Sequence, residues 1–275
     1  MRATRRQVRV ALGWKKQTWP QDEWVWQYEE SIFEDAIDPE IAIVDAHHHF
    51  FDPVEHEQWP VAKPLRKLIF MQDGHDLVRG IITDPAMASL PYCFGERAPL
   101  LARYKGPELL RDIKGNGKGH RIVNTVFIEC GWKTPGEAVQ CMEPVKEADM
   151  VSEVHRQFPE LCGGIVAFAD LRLGKDVEPA LKYYKANPLV KGIRHSLAFC
   201  EDPLIRGGSC PHCNKGTAYD EKFREGFALL EKYGFVYDCW LFHEQIDALE
   251  DLAKAFPKTT IICDHMAYPP GPESL

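Results

Sequence analysis

A chain of 275 residues, 45% hydrophobic and 27% charged, is long enough to bury a large core and has an ordinary globular composition. Its formal charge of −8 argues against a nucleic-acid surface, which needs a basic stripe, and no run of apolar residues is long enough to suggest a membrane span. Nine cysteines lack the spacing of a secreted scaffold, so reduced thiols in a cytoplasmic setting are expected.

Residues 1–40 read as an N-terminal extension. Its start carries Arg2, Arg5, Arg6, Arg9, Lys15 and Lys16 and no acid. An organelle presequence is also Arg-rich, but usually Ser-rich as well, and residues 1–16 hold no serine, so a solvated tail is the expected reading. Residues 41–275 read as one domain, opened by a strand expected over 41–46 that begins with the apolar run Ile41-Ala42-Ile43-Val44. This run leads into Asp45-Ala46-His47-His48-His49. Side chains alternate faces along a strand, so His47 and His49 share one side and His48 takes the other. Two neutral imidazoles so placed can converge on one divalent ion.

Residues 50–121, rich in proline, separate the first two strands by more than an ordinary crossover and are expected to form an insertion over the C-terminal strand ends, in the position of a lid. Further strands are expected at 122–129, 164–169, 190–194, 235–241 and 259–263. They are continuous apolar runs, which fit strands buried on both faces of a parallel sheet. Between them Thr134-Pro135-Gly136-Glu137 has the form of a capping box opening a helix that runs to Phe158. A second helix is expected over 177–186. Asp220 caps a third, with Phe223, Phe227 and Leu230 on its stripe and Gly234 as its stop. Ile246, Leu249, Leu252, Ala253 and Phe256 stripe a fourth, ended by Pro257. The alternation fits a (β/α) barrel or a doubly wound open sheet.

Polar groups fall at the strand ends. His47 and His49 end the first strand, Glu129 the second, Asp170 the third, Arg194 and His195 the fourth, and Asp264 and His265 the sixth; His243 follows the fifth. Titratable groups at the C-terminal ends of parallel strands are what a barrel active site presents. The bland alternative for each lone histidine is a hydrogen-bonded structural residue. Asp45 and Asp264 are expected to orient neighbours, as carboxylates beside ligand histidines commonly do. Cys210-Pro211-His212-Cys213 has C-x-x-C spacing, but no second ligand pair stands nearby in the sequence to complete a structural zinc site.

These pieces together resemble the amidohydrolase-related family of metal-dependent hydrolases, the group similar to sugar lactonases and 2-pyrone-4,6-dicarboxylate lactonase. The matching stretches are IVDAHHHFFDP at 43–53, TVFIECGW at 125–132, GGIVAFADLRLG at 163–174, KGIRHSL at 191–197 and YDCWLFHEQIDALEDLAKAFPKTTIICDHMAYPPG at 237–271. The resemblance implies a distorted TIM-like (β/α) barrel and hydrolysis of a lactone or a related carbonyl or amide bond, with a small molecule as partner. It implies His47, His49 and His265 as metal ligands, Arg194 as the substrate-carboxylate or oxyanion partner, and His195, His243 and Glu129 as catalytic groups. Zinc suits such imidazole ligands, with manganese as the alternative; a metal-free route would rest on the histidines and Arg194. The family's last strand carries an acidic or Asn residue after an FGS-like turn, and nothing here matches it. Six of eight β/α units are accounted for, so an incomplete barrel is expected, weakly active or retained for binding or scaffolding. Self-association into a homo-oligomer is left open.

Overall fold

The computed structural model describes residues 37–50, 104–114, 120–131, 141–201 and 213–267. Six strands appear in it: β1 (Ala42–His48), β2 (Arg121–Ile128), β3 (Gly164–Phe168), β4 (Val190–Arg194), β5 (Val236–Cys239) and β6 (Ile261–Cys263). The helices are α1 (Gly106–Lys114), α2 (Val145–Gln157), α3 (Glu178–Ala186), α4 (Glu221–Tyr233) and α5 (Ile246–Ala255). All strand pairs are parallel, and their order in the sheet is their order in the chain. A doubly wound sheet reverses direction at a switch point, and this one does not. The fold is therefore TIM-like, with six consecutive parallel strands and the five helices between them forming a curled half-barrel.

The curl follows from one contact. Six flat strands would hold β1 and β6 about 24 Å apart, five interstrand spacings. His47 of β1 nonetheless lies 3.3 Å from Asp264, the residue after β6. Strand twist bends the sheet until its outer strands face each other at their C-terminal ends.

The core lies between the sheet and its helices. Phe127, Ile165, Leu171, Leu181, Tyr184, Phe223, Phe227 and Tyr237 are fully buried there. β3 is buried over Gly164–Ala167, as its unbroken apolar run requires. Asp220 accepts a hydrogen bond from the Phe223 amide at 2.9 Å and so caps α4, while Gly234 ends that helix at φ 67. The Leu171–Val177 turn approaches α4 so closely that a Cβ on Gly226 would sit 2.2 Å from the Leu171 carbonyl oxygen.

Two helix expectations change. The helix before β3 begins at Val145, with turn residues at 141–143 ahead of it. Pro144 is the reason: it lacks an amide hydrogen and disfavours helix in the residue before it, so the helix starts behind it. The capping box at 134–137 lies outside the described residues. On α5, Ala248, Leu249 and Leu252 are buried, whereas Ile246 and Ala253 of the expected stripe are exposed. Of the long stretch 50–121, residues 106–114 form α1; 51–103 and 115–119 are outside the described residues, as are the basic start of the chain and Cys210.

Candidate metal centre

A bulge sets the first strand's histidines. Between the pairs Asp45↔Thr125 and His48↔Phe127, β1 advances one residue more than β2. An extra residue bends a strand and re-aims its side chains. The Asp45 carboxylate accepts the His47 amide at 3.2 Å and braces this corner. His48 turns the other way, packing between Phe50 and Phe127 with its Nε2 2.9 Å from Thr125 Oγ1.

His47 Nε2 and His49 Nε2 are 3.1 Å apart. The other nitrogen of each ring decides what this means. His49 Nδ1 is 2.8 Å from the Ile128 carbonyl oxygen, which can only accept, so Nδ1 carries the proton. His47 Nδ1 faces the Asp264 carboxylate at 3.3 Å and likewise donates. In the neutral rings both Nε2 atoms then present lone pairs to each other. Burial, reinforced by the neighbouring His47, pushes the His49 pKa down to about 3, so a proton held by His49 between the rings is unfavourable near neutrality. A metal cation between the rings would resolve the conflict. Two ligands on a tetrahedral zinc with bonds of 2.0–2.1 Å lie about 3.3 Å apart, close to the spacing seen.

Asp264 is the hub. Its Oδ2 receives Arg194 Nη2 at 2.5 Å, and His265 Nε2 lies 3.4 Å from the same oxygen. Burial works against this carboxylate, but the hydrogen bond from His47 and the charge of Arg194 hold its pKa below the ordinary carboxylate value. Ligand atoms of His47, Asp264 and His265 all lie within 4.8 Å of one another. His47 thus belongs both to this group and to the pair with His49. The His265 side chain is half exposed, and its backbone is left-handed at φ 50, as are Met266 and Ala267 at φ 54. Such strain costs about 1–3 kcal/mol per residue and gathers at functional sites.

Arg194 is buried at the end of β4, with Nε 2.6 Å from Asp238 Oδ1. Two carboxylates therefore engage its fork. Glu129 is half-buried at the end of β2, where its amide donates to the Val166 carbonyl and its charge adds to the field on Arg194. His195 is 1% exposed, between the Phe168 and Phe223 rings. Its Nδ1 accepts the Leu171 amide at 3.0 Å, which puts the proton on Nε2, 3.5 Å from Cys213 Sγ. His243 stands half-buried on the turn after β5 and makes no hydrogen bond, ion pair or ring contact with His47, His49 or His265 among the described residues. The fold thus gathers His47, His49, His265 and Arg194 and leaves His195 and His243 in other surroundings.

Asp238 went unread in the sequence. The signal was present: an acid inside Val236–Cys239, a buried strand, is tolerated only when paired.

The amidohydrolase family matches residues 133–274, just over half of the chain, and the chain belongs to that family. The matched span contains β3 to β6 and not the histidines of β1. An uncharacterized protein, y4mH, of Sinorhizobium fredii is 26% identical over 227 residues, 82% of this chain and 62% of that protein. A crystal structure of an amidohydrolase from Burkholderia multivorans with bound HEPES has 16% identity and a TM-score of 0.50, over 82% of this chain and 58% of that one. A zinc-bound crystal form of a B. multivorans amidohydrolase has 17% identity and a TM-score of 0.49, over 83% and 59%. Amidohydrolase 2 from Bifidobacterium longum subsp. infantis has 16% identity and a TM-score of 0.47, over 84% and 64%. The chain thus spans about 60% of the length of these relatives.

Proposed function

We propose that the chain carries the first part of a metal-dependent hydrolase site acting on a lactone or a related carbonyl or amide bond. The observation that carries this reading is the pair of facing Nε2 atoms, 3.1 Å apart, whose rings are both fixed in the Nδ1–H tautomer. His47 and His49 would hold the ion, with His265 and Asp264 beside it. Zinc suits two imidazoles best, with manganese as the alternative. A bound divalent ion supplies polarisation of a carbonyl oxygen and acidification of a water.

The protein's own groups do the rest. Ile128 and Asp264 keep the two Nε2 lone pairs aimed at one point, the usual task of groups behind ligand histidines. His265, half exposed and beside an ionised Asp264, is placed to take a proton at Nε2 from the mouth of the half-barrel. Arg194 has its charge matched by Asp238 and Asp264, so we assign it to holding Asp264 and not to binding a substrate anion. His195, closed in by Phe168 and Phe223, is assigned a structural role.

The test is a zinc titration of the metal-free chain, with hydrolysis assayed over sugar lactones, aromatic-derived lactones and small amides. The expected result is about one zinc per chain, lost together with any hydrolysis in His47→Ala and His49→Ala. Zinc uptake unchanged by both substitutions would overturn the assignment. Zinc binding without hydrolysis of any of these compounds would favour a binding or scaffold role.

A further inference from the structure

We propose that Asp238 is a positioning residue for the metal centre: it clamps Arg194, Arg194 holds Asp264, and Asp264 fixes the His47 ring. The proposal rests on the reading of His47 and His49 as metal ligands.

Asp238 and Arg194 are direct partners in the β4–β5 ladder. Their side chains therefore leave the sheet on the same face, and Asp238 Oδ1 meets Arg194 Nε at 2.6 Å. Both residues are at most 5% exposed. The flanking Tyr237 and Cys239 are fully buried, so Asp238 has an apolar strand around it and a guanidinium as its charged partner. Held at Nε, the planar fork has a fixed direction for Nη2, which reaches Asp264 Oδ2 at 2.5 Å. That leaves Asp264 Oδ1 turned to His47 Nδ1 at 3.3 Å. The chain of contacts runs Asp238, Arg194, Asp264, His47, and ends at the Nε2 that faces His49.

Charge supports the same reading. Two carboxylates and one guanidinium carry a net negative charge beside His47 and His265, which favours a cation there. Removing Asp238 frees Arg194 to rotate and cancels that excess. An ion pair serving only to hold β4 to β5 would not need its second arm to end on Asp264, the carboxylate that meets a histidine of the opposite edge strand.

The decisive comparison is Asp238→Asn, which keeps an oxygen for Arg194 Nε but removes the charge, with Asp238→Glu as the conservative partner. Zinc affinity, read by competition with a chelating dye, should fall about 10- to 100-fold in Asp238→Asn and recover at least partly in Asp238→Glu. In the metal-free protein, ¹⁵N NMR should show His47 as the Nδ1–H tautomer in the parent chain and a mixture in Asp238→Asn. Unchanged affinity and an unchanged tautomer in Asp238→Asn overturn the proposal. So does failure of both variants to fold, which would make Asp238 purely structural. A parent chain that binds no zinc, yet shows the tautomer change, sustains the relay and overturns the metal reading instead.

Discussion

Neighbouring histidines in β1 have different chemistry because strand alternation sends them to different surroundings. His47 and His49 face each other, while burial of His48 among Thr125, Cys162 and two phenylalanine rings pushes its pKa down to about 4. A histidine whose folded pKa lies below its unfolded value near 6.5 binds its proton more readily in the unfolded chain. Its stabilising contribution is complete above about pH 6.5 and is lost as the pH falls towards 4, at about 1.4 kcal/mol per pH unit. Urea unfolding in EDTA at pH 7, 5.5 and 4.5 should therefore show falling stability, with a shallower slope in His48→Gln. Equal slopes for the two proteins would refute the assignment. The H-x-H spacing was legible in the sequence because parity alone fixes which histidines share a face. The tautomers were not, since they depend on the Ile128 carbonyl and on Asp264, which chain spacing does not bring to them.

At the scale of elements, local signals worked where the physics is local. Asp220 and Gly234 bound α4 as their side-chain and backbone preferences require. The helix expected from residue 134 shows the limit, because a favourable box at 134–137 says nothing about Pro144 downstream. Tight packing is equally unreadable from a local pattern. Gly226 lies on α4, where a glycine looks like a weak point, yet its missing Cβ admits the Leu171 carbonyl. Gly226→Ala raises helix propensity, but the methyl would meet backbone at 2.2 Å, so overpacking wins over propensity. A net loss of about 1–3 kcal/mol is expected in chemical denaturation. A gain in stability would show that the turn at Leu171–Val177 gives way.

For the whole molecule, thiol accessibility reports how the half-barrel opens. Cys162 is buried, and burial pushes its pKa up to about 12; burial likewise raises Cys239, whereas Cys263 on β6 is exposed. With a disulfide reagent at pH 8, Cys263 should label within the mixing phase of a slow experiment, and Cys162 and Cys239 only as urea unfolds the chain. Rapid labelling of Cys162 in native buffer would mean that the β1–β3 region opens by itself.

The sequence by itself determined the alternation of strands and helices, the parallel sheet and the polar groups at the strand ends, because these depend on apolar periodicity and on residue type. Periodicity left a barrel and a doubly wound sheet as alternatives; the family resemblance pointed to the barrel, and the strand order agrees with it. Only the tertiary structure decided which groups meet. Curling the sheet brings His47 of β1 to Asp264 beyond β6, and register pairs Arg194 with Asp238. Both are consequences of sheet geometry, summed over all six strands, that no local run of residues encodes.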